Sequence, residues 1–186
     1  MEKYIGLICV IAIVIVIAVF VIATYNSLIR LRNRVKNSFA QIDTQLQRRF
    51  DLIPNLVETV KGYASHEKEL LESITASRTG FMNAGSNGEK MDMDNQLTSS
   101  LRTLFAVAEN YPDLKANKNF ENLQNELSET EDKVAYSRQF YNDSVTMYND
   151  KLQMFPTNII AGMFGFKEEA LFATSEEAKE APKVQF

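Results

Sequence analysis

Apolar and polar positions change their pattern once along the chain, near residue 24. From Ile5 to Thr24 the run IGLICVIAIVIVIAVFVIAT holds 20 residues without a charge, enough for a helix to cross a hydrocarbon core of about 30 Å. A cleaved signal peptide is the rival reading. Signal peptides have apolar regions of roughly 7 to 15 residues and a small-residue cleavage site, and neither fits this run well. The pattern therefore predicts a transmembrane helix over 5–24, with a short extracytoplasmic N-terminus over 1–4.

After the run, apolar residues recur at steps of three and four, the spacing of a helix with one buried face. Leu28, Leu31, Val35, Phe39, Ile42 and Leu46 predict a first helix over about 25–50. Within QLQRRFDLIPNLV, Asp51 suits an N-cap and Pro54 a first turn, where a missing N–H matters least. Arg48, Arg49, Asp51 and Pro54 are thus expected to form a corner at Phe50–Ile53. Because the stripe carries on through Ile53, Val57 and Val60, one long helix kinked at Pro54 is the alternative. A second helix is expected over 52–79, then a loop at GFMNAGSNGEK, residues 80–90. A third covers about 91–110, with Asp92 and Asp94 favoured by the dipole at its start. A fourth covers about 117–155 and stops at Pro156. Short connections between amphipathic helices predict an all-α fold, an antiparallel up-down-up-down four-helix bundle over 25–155. An apolar segment, 156–166, and a polar, loosely ordered tail, 167–186, complete the chain.

Charge separates the two ends. Residues 1–61 carry a net +4 and residues 62–186 a net −8. Arg30, Arg32, Arg34 and Lys36 follow the apolar run with no acid among them, a bias that keeps the following domain cytoplasmic. With Ile159, Ile160, Met163, Phe164 and Phe166 of NIIAGMFGF they are the expected membrane contacts, since helix four of an antiparallel bundle returns to the bilayer. The acidic balance and the lack of a recognition motif argue against nucleic acid. The single Cys9 lies inside the apolar run and allows no intrachain disulfide.

The stretches RLRNRVKNSFAQIDTQLQRRFDLIPNLVETVKGYASHE, TEDKVAYSRQFYN and YNDKLQMFP resemble the LemA family of bacterial membrane proteins. The resemblance covers nearly all of the chain after the apolar run. It implies a single N-terminal transmembrane helix, a cytoplasmic four-helix bundle and no established enzymatic activity. It also implies a link to membranes, through a branch that takes part in building magnetosome membranes. Gene neighbourhood in the family makes a membrane zinc protease a candidate partner.

Candidate chemistry is sparse. His66 and Glu69 form an HxxE pair, but a catalytic zinc site usually needs three protein ligands and no second histidine exists. No nucleophile elbow or phosphate-cradling glycine loop is present, and no cofactor is expected. Arg48 and Arg49 suit a helix C-terminus, with a basic docking knob as the functional alternative. Tyr141-Asn142 and Tyr148-Asn149 repeat one heptad apart on the apolar stripe and read as packing residues whose hydroxyls reach polar partners. Arg138 falls on the same stripe between Val134 and Tyr141. A charge facing a core needs a partner, and Glu131 or an acid on a facing helix, Asp43 foremost, is expected to supply it. The expectation is a non-enzymatic membrane-anchored helical scaffold that forms homo-oligomers and organises the inner membrane. An adaptor for a membrane protease is the alternative.

Overall fold

The computed structural model describes residues 2–64 and 66–172, and every regular element among them is a helix: α1 (Glu2–Lys61), α2 (Lys68–Asn83), α3 (Asn87–Ala108), α4 (Pro112–Lys115), α5 (Lys118–Gln153) and α6 (Thr157–Met163). The chain divides into two compact units, Met1–Ala40 with Gln139–Leu171 and Gln41–Arg138 with Phe172–Phe186. Both α1 and α5 contribute to each unit.

In the first unit, α1 begins with the uncharged run, whose large side chains are exposed from Ile5 to Val19. Beyond Thr24 the same helix changes to a one-sided stripe, with Leu28, Val35 and Phe39 buried, as are Tyr141, Val145, Tyr148 and Leu152 of α5. Phe39 and Tyr141 meet edge to face at 5.7 Å between ring centroids. Ser38 sits buried on this stripe because its hydroxyl donates to the carbonyls of Arg34 and Val35, which satisfies a polar group that would otherwise be costly to bury. After α6, residues 166–171 form an irregular segment against α5. The Asn149 amide brackets Glu169, donating to its carbonyl at 2.9 Å and accepting from its N–H at 3.0 Å. The Tyr141 hydroxyl donates to the Ala170 carbonyl. The segment expected to be loose is therefore held down as far as Leu171; residues 173–186 of that tail lie outside the described residues.

In the second unit the expected corner at Phe50–Ile53 is absent, because α1 continues through Pro54 to Lys61. Proline removes the N–H that would reach the carbonyl four residues back, here that of Phe50. That carbonyl accepts instead from Arg78 Nε of α2 at 3.2 Å. Phe50 also stacks on Phe81 of α2, and Ile53, Leu56 and Val60 are fully buried. Burial and a replacement donor offset a proline cost of about 3 kcal/mol. α1 ends at Lys61, and α2 occupies Lys68–Asn83 rather than 52–79.

The expected loop at 80–90 shrinks to Ala84–Ser86. Gly80 lies inside α2 and Met93 of α3 stands where its Cβ would be, so the glycine permits the close approach of α2 and α3 rather than ending α2. Ser86 caps α3, accepting from Glu89 N–H, while the Glu89 carboxylate accepts from Gly85 N–H. These two caps, one on the N-cap residue and one on the residue before it, start the helix before Asp92 and Asp94. Pro112 opens α4, and the Asn117 side chain caps α5 by accepting from Asn119 and Phe120 N–H.

Candidate functional site

Three core positions of the second unit carry charge. Arg49 lies on the α1 stripe between Leu46 and Ile53, and Asp94 on the α3 stripe between Met91 and Leu97; their side chains are 1% and 0% exposed. Arg49 donates to Asp94 at 2.8 Å, to the Thr98 hydroxyl at 2.9 Å and to Glu131 of α5 at 2.6 Å. Arg138 of α5 pairs with the second oxygen of the Asp94 carboxylate, and its guanidinium also lies 4.4 Å from the centre of the Phe172 ring.

Two arginines and two carboxylates thus form a neutral group tying α1, α3 and α5 together. Such a group adds little when intact, because desolvation offsets attraction, yet it is strongly destabilised when one member is lost. The Arg138 partner is thus Asp94, an acid on a different helix as expected, but neither Glu131 nor Asp43. Glu131 serves Arg49, and Asp43 pairs with Lys90 of α3 at 2.6 Å. Arg49 is a core ion here rather than a helix end or docking knob, because α1 does not stop there. Arg48 and Asp51 are exposed, and Asp51 accepts from Gln47.

A second arrangement lies in the first unit, where α1 leaves the uncharged run. The Tyr25 ring meets Phe164 at 4.9 Å and Phe166 at 5.7 Å between centroids. The Arg32 guanidinium lies 5.4 Å from the Phe166 ring centre, and that of Arg34 lies 5.4 Å from Phe140. The nine expected membrane contacts separate by exposure. Arg30, Arg34, Lys36, Ile159, Met163 and Phe164 are exposed, Arg32 and Phe166 are half-buried, and Ile160 is buried. Burial raises the Tyr148 phenol above its usual range, Glu169 raises it further and Arg32 opposes. Burial and Glu169 likewise raise Tyr141.

Among the described residues no cluster of histidine, cysteine and carboxylate side chains is arranged to hold a metal ion. His66 is exposed in the turn between α1 and α2. A groove of about 840 Å³ between α1 and α2, lined by Val57, Leu71, Ala76 and Gly80, carries Lys61, Lys68 and Glu72 but no nucleophile beside a base.

Asp94, Thr98, Phe172 and the Asn149 clamp were missed from the sequence. Arg49 and Asp94 sit at core positions of their stripes just as Arg138 does, and that shared signal could have united the three. Thr98, Phe172 and the clamp depend on tertiary approach and left no local trace.

The LemA family model matches residues 38–186. Protein LemA of Metamycoplasma hominis is 30% identical over 152 residues, covering 81% of this chain and 69% of the relative. Magnetosome protein MamQ 2 of Paramagnetospirillum magneticum is 24% identical over 174 residues, covering 80% of this chain and 64% of that protein. Magnetosome protein MamQ of Magnetospirillum gryphiswaldense is 23% identical over the same length and coverage. The chain thus spans slightly less than two thirds of the MamQ relatives.

Proposed function

The chain belongs to the LemA family, and on that premise we propose that it is a non-enzymatic, membrane-anchored scaffold that self-associates and organises the bacterial inner membrane. The observation that carries this reading is α1. Its exposed uncharged run passes into the buried stripe of the first unit within one helix, so no loop separates anchor from fold. Magnetosome naming of the MamQ relatives supports a role in membrane organisation. The basic residues after Thr24 favour an orientation with the folded part in the cytoplasm.

Full-length protein extracted from native membranes in polymer nanodiscs and weighed by native mass spectrometry tests the proposal. A homo-oligomer is expected. A membrane protease retained at equal amount would replace the scaffold with an adaptor, and a monomer without a partner would contradict both.

A further inference from the structure

The exposed apolar side chains at the end of the first unit have a common location. Phe155, Ile159 and Met163 recur every fourth residue and are 80%, 55% and 76% exposed, and Phe164 beside them is 51% exposed. Thr157, Ile160 and Ala161 of α6 are buried instead. The segment therefore has an inner row that packs and an outer row that does not. Water-facing rows of this kind mark a surface that meets an apolar partner.

Tyr25 shows which partner. It directly follows the 20-residue apolar run Ile5–Thr24, and its ring touches Phe164. Twenty helical residues span about 30 Å, the thickness of the hydrocarbon layer. With Ile5–Thr24 in that layer, Tyr25 stands about 1.5 Å beyond its edge along the helix. Phe164 is then held at the boundary between acyl chains and headgroups, where aromatic rings are favoured. Arg30 and Arg34 extend from α1 within the next three turns and are exposed, which complements the anionic headgroups of a bacterial membrane surface.

We propose that Phe155, Ile159, Met163 and Phe164 form an interfacial foot that inserts into the lipid bilayer beside α1, giving the single-span protein a second attachment to the membrane. The foot rests on the reading of Ile5–Thr24 as a membrane span, and goes beyond it by assigning a lipid-binding surface to a separate segment. Two attachments fix the rotation of α1 about its own axis, which a lone span leaves free.

The chain contains no tryptophan, so one substitution installs a unique reporter in the full-length protein. Phe164→Trp, reconstituted at one copy per nanodisc, should have blue-shifted emission that loses intensity to bromine on the lipid acyl chains, as for a side chain at the headgroup boundary. Ile159→Trp is the second reporter if the first variant misfolds. Phe20→Trp checks the span, and Tyr136→Trp supplies an exposed site that should remain unquenched. Quenching at Phe20 with none at Phe164 or Ile159 overturns the foot and leaves the span intact. No quenching at Phe20 removes the span and the foot together. Emission that shifts only in discs holding two copies, without bromine quenching, overturns the foot in favour of a contact between copies.

Discussion

Arg49 and Arg138 in one unit end on carboxylates, whereas Arg32 and Arg34 in the other end on aromatic rings. Both arrangements use the planar guanidinium, which is suited to bidentate pairing and to stacking. They differ in what happens to the charge. Asp94 and Glu131 cancel the two cations they bind, Arg49 and Asp94 fully buried where an unpaired ion would be expensive and Glu131 half-exposed at the rim. A ring face steadies a cation without neutralising it. The charge next to the uncharged run is therefore kept, and the charge among α1, α3 and α5 is consumed. Arg78 shows a third use, replacing the backbone donor that Pro54 lacks.

Substitutions can break this contrast at graded cost. Asp94→Ala should be the most damaging, since it takes the buried carboxylate from both arginines at once and leaves Arg49 with Thr98 and the half-exposed Glu131 alone; a loss of about 3–5 kcal/mol is expected, read as a fall in the denaturant midpoint of the full chain in detergent. Arg138→Ala leaves Asp94 with one partner and should cost about 1.5–3 kcal/mol, the range for a hydrogen bond to a charged group. An unchanged midpoint would mean that the cluster does not hold the helices together. Arg78→Ala should destabilise clearly in the natural sequence and much less in a Pro54→Ala background, where the Phe50 carbonyl regains a helical donor. Equal effects in the two backgrounds would rule out the replacement bond. Arg34→Ala should have the smallest effect, about 0.5–1 kcal/mol for an exposed cation on a ring.

The same contrast explains what could be read from sequence. The uncharged run, the stripes and the all-helical composition are periodic features, and they were legible. The course of α1 through Pro54 was not, because local chemistry at Asp51–Pro54 favours a helix start, and the Arg78 donor that overrides it lies far along the chain. Gly80 misled in the same way: without knowledge of Met93 it reads as a terminator. At the charge cluster Arg138 was recognised as a core ion, while its partner was sought one helix away from the right one. Asp94 had a sufficient local explanation as an N-terminal acid until Ser86 took the capping role. The aromatic end was legible as an apolar segment, but its division into an inner and an outer row depends on which residues of α6 are buried by tertiary packing.

The proposed contact between the cations beside Ile5–Thr24 and anionic lipid should show in the first lipid shell. Electron spin resonance of spin-labelled lipids around the full-length protein measures it directly, as the preference of the first lipid shell for phosphatidylglycerol over phosphatidylcholine. A basic residue near the surface contributes about 1 kcal/mol, or about fivefold in affinity. The natural sequence should prefer phosphatidylglycerol at low salt, and Arg30→Gln, Arg34→Gln and Lys36→Gln together should abolish most of that preference. A triple variant that keeps the full preference would contradict the account.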